Sequence, residues 1–302
     1  SAMPPVVYLL GLTVFAMTTA EFMVAGMMPA LAHAMNVGIG DIGNLISLYA
    51  LGMTIGGPVL TALLLALRTP HKRALVWLLT INVAGGVLAA VSTRYEVMAL
   101  ARIIMGVASS ATFGVALTLC ADLVAPSVRG RAASFVLGGL MFSPVVGVPL
   151  TAFIEQHYGW RASFWAVTVI GALAFLVIAW FVPKIAAPKD AGDWRADLRA
   201  LARRPVLLGL LTTVLGWVGV FGVFTYIAPL LTEVTGFAEG AVSPILLIFG
   251  GGLVIGNLLG GKLADRRVVP TVLGSLLALS VVLGAFTHLR EQFGFQVRLH
   301  LH

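Results

Sequence analysis

This sequence predicts an all-α, polytopic transmembrane bundle, and three observations carry that expectation. Its 302 residues are 59% hydrophobic and 10% charged, with a mean hydropathy of +1.01. A water-soluble domain would need far more polar residue to cover its surface. Nine apolar runs are long enough to cross a bilayer. A module is also written twice at an offset of 200 residues: Gly52 and Gly56 reappear as Gly252 and Gly256, Pro29 as Pro229, and Pro70 as Pro270. Duplicated sets of spans produce two pseudo-symmetric halves about a central site.

The first run, 6–31, is too long and too well matched to the second half for a removable signal peptide. Run 42–66 carries Gly52, Gly56 and Pro58, and glycines four apart let helix backbones approach closely. Runs 74–91 and 97–124 follow after short loops, so antiparallel packing is expected. Run 132–155 contains Gly138, Gly139, Pro144 and Pro149, where each proline removes a backbone donor and permits a kink. Run 162–182 completes a six-span bundle over 4–182. The polar stretch 183–205 is a linker in which Trp194, Leu198 and Leu201 recur at helical spacing, predicting a short amphipathic helix on the membrane surface. Runs 206–231, 241–264 and 269–288 form a partial second bundle over 206–288. An irregular tail is expected over 289–302.

Charge sets the topology. Arg68, Lys72 and Arg73 follow the second run, and Arg129 and Arg131 follow the fourth. Six basic residues from Lys184 to Arg204 follow the sixth, and Lys262, Arg266 and Arg267 follow the eighth. The opposite loops hold Arg94 and Arg161 among Asp41, Glu96, Glu155, Glu233 and Glu239. This positive-inside bias puts the N-terminus and the 183–205 linker in the cytoplasm. The net charge of +7 therefore reports orientation in a bilayer and implies no nucleic-acid partner. Cys120 is the single cysteine, which excludes an intrachain disulfide. No spaced His/Cys/Glu set suggests a metal, no Walker loop suggests ATP, and no cofactor or enzymatic activity is expected.

Specific motifs carry a family resemblance. Gly256-Asn-Leu-Leu-Gly260-Gly-Lys-Leu-Ala-Asp265-Arg266 is similar to the loop motif of the major facilitator superfamily in its second-half position. Thr18-Thr-Ala-Glu21-Phe22, Gly147-Val-Pro149, Gly159-Trp-Arg161-Ala-Ser-Phe164 and Leu211-Thr-Thr-Val-Leu-Gly216 resemble its bacterial sugar-efflux or arabinose-efflux-permease-like branch of proton-coupled exporters. Ser143-Pro144-Val-Val-Gly147-Val148 resembles the fifth-span antiporter motif, Gly-Pro-x-x-Gly-Gly, keeping its proline and one of its glycines. Leu65 and Ala66 stand where the first-half loop motif would carry Asp and Arg. The resemblance implies the major facilitator fold, with a complete six-helix N-terminal half and an incomplete C-terminal half. It also implies a monomer that exports a sugar-like or drug-like small molecule across the bacterial inner membrane by alternating access, in exchange for protons. The family has twelve spans, so the chain is expected to be C-terminally truncated. A transport-inactive fragment and a proton-independent facilitator are the alternatives.

Few side chains are equipped for such chemistry. A charge inside a span costs about 2.5–3.5 kcal/mol on insertion scales, so each one asks for a reason. Glu21, two-thirds along the first run, is the candidate proton-coupling or substrate-contacting group, since a carboxyl can take up and release a proton. Arg102, inside the fourth run, either joins it, as the resemblance implies, or snorkels to the outer interface. The resemblance makes Gly256, Gly260, Asp265 and Arg266 a cytoplasmic gate. Candidate cavity residues are Phe22, Asn44, Tyr49, Asn82, Phe113, Phe142, Trp217, Phe224 and Tyr226. Asp122 is expected to pair with Arg129 or Arg131, and His71 to face solvent.

Overall fold

The computed structural model describes residues 3–184, 194–264 and 266–299, and among them there is no strand. Among the described residues nine helices are long and apolar enough to cross a membrane. In the first half these are α1 (Pro5–Gly26), α3 (Ile39–Ala66), α4 (His71–Val91), α5 (Tyr95–Leu123), α6 (Pro126–Tyr158) and α7 (Trp160–Phe181), with a short α2 (Met28–Met35) after α1. A small helix, α8 (Trp194–Leu201), precedes α9 (Arg204–Thr225), α10 (Val242–Ala264) and α11 (Val268–Leu299).

The sequence sets the boundaries. Proline occupies the first turn of α1 and α9, where its missing N–H costs no helical bond. Asn36 ends α2 in the left-handed region, and Gly159, at φ 89°, turns the chain sharply from α6 into α7. In lipid every backbone polar group must be satisfied within the protein, which helices accomplish locally. Two spans nevertheless contain a π-type turn, at Gly52–Gly56 in α3 and Ser143–Gly147 in α6. Each lies against a proline, Pro58 or Pro144, whose absent N–H breaks the regular ladder. The amide after each turn reaches back five residues instead, Gly57 to Gly52 and Val148 to Ser143.

Packing rests on close backbone approaches. A Cβ at Gly106 of α5 would collide with the Tyr49 carbonyl of α3, and one at Gly139 of α6 with the Gly11 carbonyl of α1. Between the halves, Gly250 of α10 lies directly on the backbone of Pro144 and Val145. Small residues at these crossings replace side-chain interdigitation with backbone contact, the usual source of attraction where lipid removes the hydrophobic drive. Around them the first half has two apolar clusters. One, with Leu10, Leu75 and Leu119, lies toward the basic loops; the other, with Met23, Leu45 and Phe164, toward the acidic loops. A third cluster, with Ala25, Val148, Phe224 and Leu246, joins the halves.

Three expectations are corrected. The segment after 288 is not irregular as far as Leu299: α11 continues through it, because nothing from 289 to 299 includes a proline to stop a helix. His71 does not face solvent but meets Asp122 at 2.5 Å, its side chain 12% exposed. Arg129 instead donates to the Ala121 carbonyl. Antiparallel packing of α4 on α5 brings His71 to Asp122, a proximity that the loop charges do not reveal.

Gly106→Ala should destabilise the solubilised protein by about 1–3 kcal/mol, because the added methyl meets backbone that cannot move aside alone. Gly114→Ala, on the same helix with nothing within 4 Å of its Cβ, should be neutral or stabilising by up to about 1 kcal/mol. Urea or thermal unfolding in one detergent reads both; equal effects would refute the close-approach account.

Candidate functional site

Successive residues of α1 serve different neighbours. At 100° per residue, Thr18 and Phe22 share one face, Thr19 turns away from it, and Glu21 lies a turn beyond Met17 and Thr18. Thr18 and Phe22 line a cavity of about 520 Å³ between the halves. Thr19 shares a buried 3.0 Å hydrogen bond with Ser143 in the π-type turn of α6. Glu21 opens into a separate compartment of about 40 Å³, walled by Val14, Met17, Met53, Ser109 and Phe113. Thr18 and Leu140 border both spaces. Thus the acid sits beside the large cavity without lining it.

Arg102 is fully buried, and this decides between the two readings of it. Its Nη1 donates to the Ala20 carbonyl at 2.5 Å, Nη2 to the Glu21 carbonyl at 2.8 Å and Nε to the Leu45 carbonyl at 3.3 Å. The guanidinium also lies over the Tyr49 ring, 4.4 Å from its centroid, and Tyr49 in turn donates to the Met17 carbonyl at 3.2 Å. A charge that cannot deprotonate is thereby surrounded by oxygens and a π face. Snorkelling is excluded. The bonds go to the Glu21 backbone, and among the described residues its carboxylate accepts none. Arg102 therefore fixes where α1 sits against α3 and α5, and with it the position of Glu21.

The large cavity has an aromatic wall. Trp217, Phe221 and Phe22 are stacked in series, at 4.9 Å and 5.2 Å between centroids. Phe224 stacks on Phe249 at 5.0 Å. Of the expected cavity residues, Phe22, Trp217 and Phe224 line it, and Pro144 of the antiporter-like motif lies on it as well. Phe113 borders the Glu21 compartment instead. Tyr49 is sealed beneath Arg102, and Asn82 is buried in the first half with its Oδ1 unpartnered. Tyr226 lies against Gly43 at the acidic-loop end.

Asn44 and Phe142 are exposed and line neither space. Asn44 falls off the buried Ile42–Leu45–Tyr49 stripe. Phe142 stands about 100° round the helix from Met141, off the face by which Met141 lines the cavity. Gly147 and Pro149 are buried, with Gly147 packed on Thr19 and Phe15. Within the gate motif, Gly256 reaches the cavity, Gly260 lies in α10 and Arg266 is exposed. Asp265 lies outside the described residues.

Phe221 and Phe249 were not foreseen, although both left signals. Trp217, Phe221 and Phe224 recur at i, i+4 and i+7, one face of α9. Phe249 stands 200 residues after Tyr49, in register with the internal repeat.

Contacts between halves occur near the acidic loops. Gln156 donates to the Glu239 carbonyl at 2.6 Å, Ser243 to the Pro149 carbonyl at 2.8 Å, and Gly26 abuts Leu246. Toward the basic loops, Gly252 and Gly256 have nothing within 4 Å of their Cβ positions.

A family profile described as Major Facilitator Superfamily matches residues 10–296. The inner membrane transport protein YdhP of Escherichia coli (strain K12) is 35% identical over 291 residues, covering 96% of this chain and 74% of that protein. A chloramphenicol resistance protein of Streptomyces lividans is 35% identical over 280 residues, covering 91% and 71%. The crystal structure of a D-xylose–proton symporter superimposes with a TM-score of 0.63 at 18% identity, over 86% of this chain and 68% of that one; it speaks for the fold alone.

Arg102→Lys should lower unfolding stability by about 1–3 kcal/mol, since an ammonium cannot bridge three carbonyls and cover a ring together. Tyr49→Phe should cost about 0.5–1.5 kcal/mol for one lost hydrogen bond. Thermal unfolding in detergent checks both, and an unchanged Arg102→Lys midpoint would refute the carbonyl cradle.

Proposed function

The chain belongs to the major facilitator superfamily of membrane transporters, and we propose that it exports small molecules across the bacterial inner membrane in exchange for protons. One observation carries this reading. A drug-sized cavity lies between the halves, and beside it a lone carboxyl occupies its own compartment behind the shared residues Thr18 and Leu140. Substrate and proton then have adjacent places, which an exchanger requires.

Alternating access is supported by the uneven contact between halves. By the charge bias, the joined end, with Gln156, Glu239 and Ser243, is periplasmic, and the N-terminus is cytoplasmic. The arrangement corresponds to an inward-open state. Rocking about the Pro144–Gly250 contact would part the outer pair and bring the inner ends of α3 and α10 toward their opposite half. The direction, export, draws on the name of the Streptomyces relative, a resistance protein. We read the protein as a monomer, since one chain contributes lining residues from both halves.

In proteoliposomes, Glu21→Gln should retain substrate counterflow while losing its response to an imposed pH gradient. Coupling by Glu21 is refuted if the variant still drives transport along that gradient. Wild-type transport indifferent to the gradient would replace exchange with facilitated diffusion.

A further inference from the structure

We propose that the large cavity selects uncharged, flat aromatic compounds carrying at most a single hydrogen-bonding group, and that it discriminates against both sugars and fixed cations. This rests on reading the cavity as the transport site and names what enters it.

Charge comes first. Among the described residues no acidic or basic side chain lines the 520 Å³ space, and Glu21 belongs to the neighbouring compartment. A fixed cation would meet no counter-ion among the described lining residues and would give up water against an apolar wall, which is costly for a charge. Hydrogen bonding comes next. Thr18 supplies a hydroxyl and Trp217 an indole N–H, while the other described lining side chains offer no nitrogen or oxygen. A pyranose presents a hydroxyl on nearly every carbon, and most would lose water without replacement. A site built for hydroxyls rejects molecules lacking them; this one lacks the means to reward them.

The rings give the shape. Phe22 and Phe221 are parallel to within 8°, and Trp217 continues the stack at 22°. Phe224 and Phe249 form a second stack at 26°. The two meet nearly at right angles: Phe224 stands at 82° to Phe22 and at 75° to Phe221. Such a corner offers a planar guest an offset face on one stack and an edge-to-face contact on the other, the two geometries that aromatic quadrupoles favour. Both halves contribute, Phe22 from α1 and the others from α9 and α10. A guest seated there touches both bodies that must move.

The test uses this chain in lipid nanodiscs with N-phenyl-1-naphthylamine, a neutral probe with two aromatic units and one N–H. Energy transfer from tryptophan reports binding, with protein-free nanodiscs subtracted. Saturable binding displaced by 1-naphthol, but not by excess D-xylose or tetraphenylphosphonium, is the expected result. Phe221→Ala should weaken the probe by roughly three- to tenfold, the range for an aromatic pair. Gly252→Leu, which puts bulk on the cavity wall where its Cβ has open space, should weaken it without removing any ring. If Phe221→Ala does not fold, Phe221→Leu keeps the volume and removes only the π face, and Gly252→Leu still decides. Displacement by xylose or by the cation, absence of saturable binding, or indifference to both folded variants would overturn the proposal. Counterflow in proteoliposomes separates the two levels. Aromatic binding without transport defeats the transport reading and leaves the cavity assignment standing, whereas transport of xylose in preference to 1-naphthol defeats the assignment and leaves transport standing.

Discussion

A guanidinium that stays charged and is wholly sealed from solvent must be surrounded by acceptors, and that requirement organises the first half. Arg102 meets it with carbonyls from α1 and α3, helices separated in sequence from its own by dozens of residues. Those carbonyls are already helix acceptors, but each has a second lone pair to offer. The cost of burying the charge is offset only if all three helices hold their relative height and rotation. Height and rotation of α1 in turn determine which compartment Thr18, Glu21 and Phe22 each see. The acid's location is thus a consequence of a neighbouring base that binds its backbone rather than its carboxylate.

Close glycine crossings supply the remaining constraint. Gly106 on Tyr49 seats α5 on α3 at the level of the guanidinium, and Gly139 on Gly11 seats α6 on α1. A bulkier residue at either point would tilt an entire span, because the obstacle is main chain. The π-type turn at Ser143–Gly147 then serves two partners, with Thr19 on one side and Gly250 on the other. Its proline opens the ladder where the two halves touch, so the least regular stretch of α6 is also its most shared.

The spans were legible because hydropathy and helix length are one-dimensional properties, and lipid allows few alternatives to a helix. The duplicated glycines and prolines, and the family motifs, likewise lie along the chain. What escaped is three-dimensional. Position within its run made Arg102 look shallow, yet it is sealed, since the oxygens that cover it come from other helices. Phe142 belongs to the cavity candidates, yet its side chain is exposed while its neighbours Met141 and Pro144 line the space. His71 and Asp122 meet through helix pairing, and no local pattern joins them. The aromatic wall was half visible, through the Trp217–Phe221–Phe224 stripe, but its closure by Phe22 and Phe249 depends on how one half leans on the other.

Thr18 and Leu140 are a party wall. On the proposed reading, a guest that pushes on it from the aromatic side would alter the room left for the acid, and a change at the acid would alter the guest's seat. Linkage makes that influence mutual and equal in free energy: by whatever factor an occupant loosens the proton, the proton loosens the occupant. Two residues with no charge of their own would then be enough to make the proposed occupants rivals.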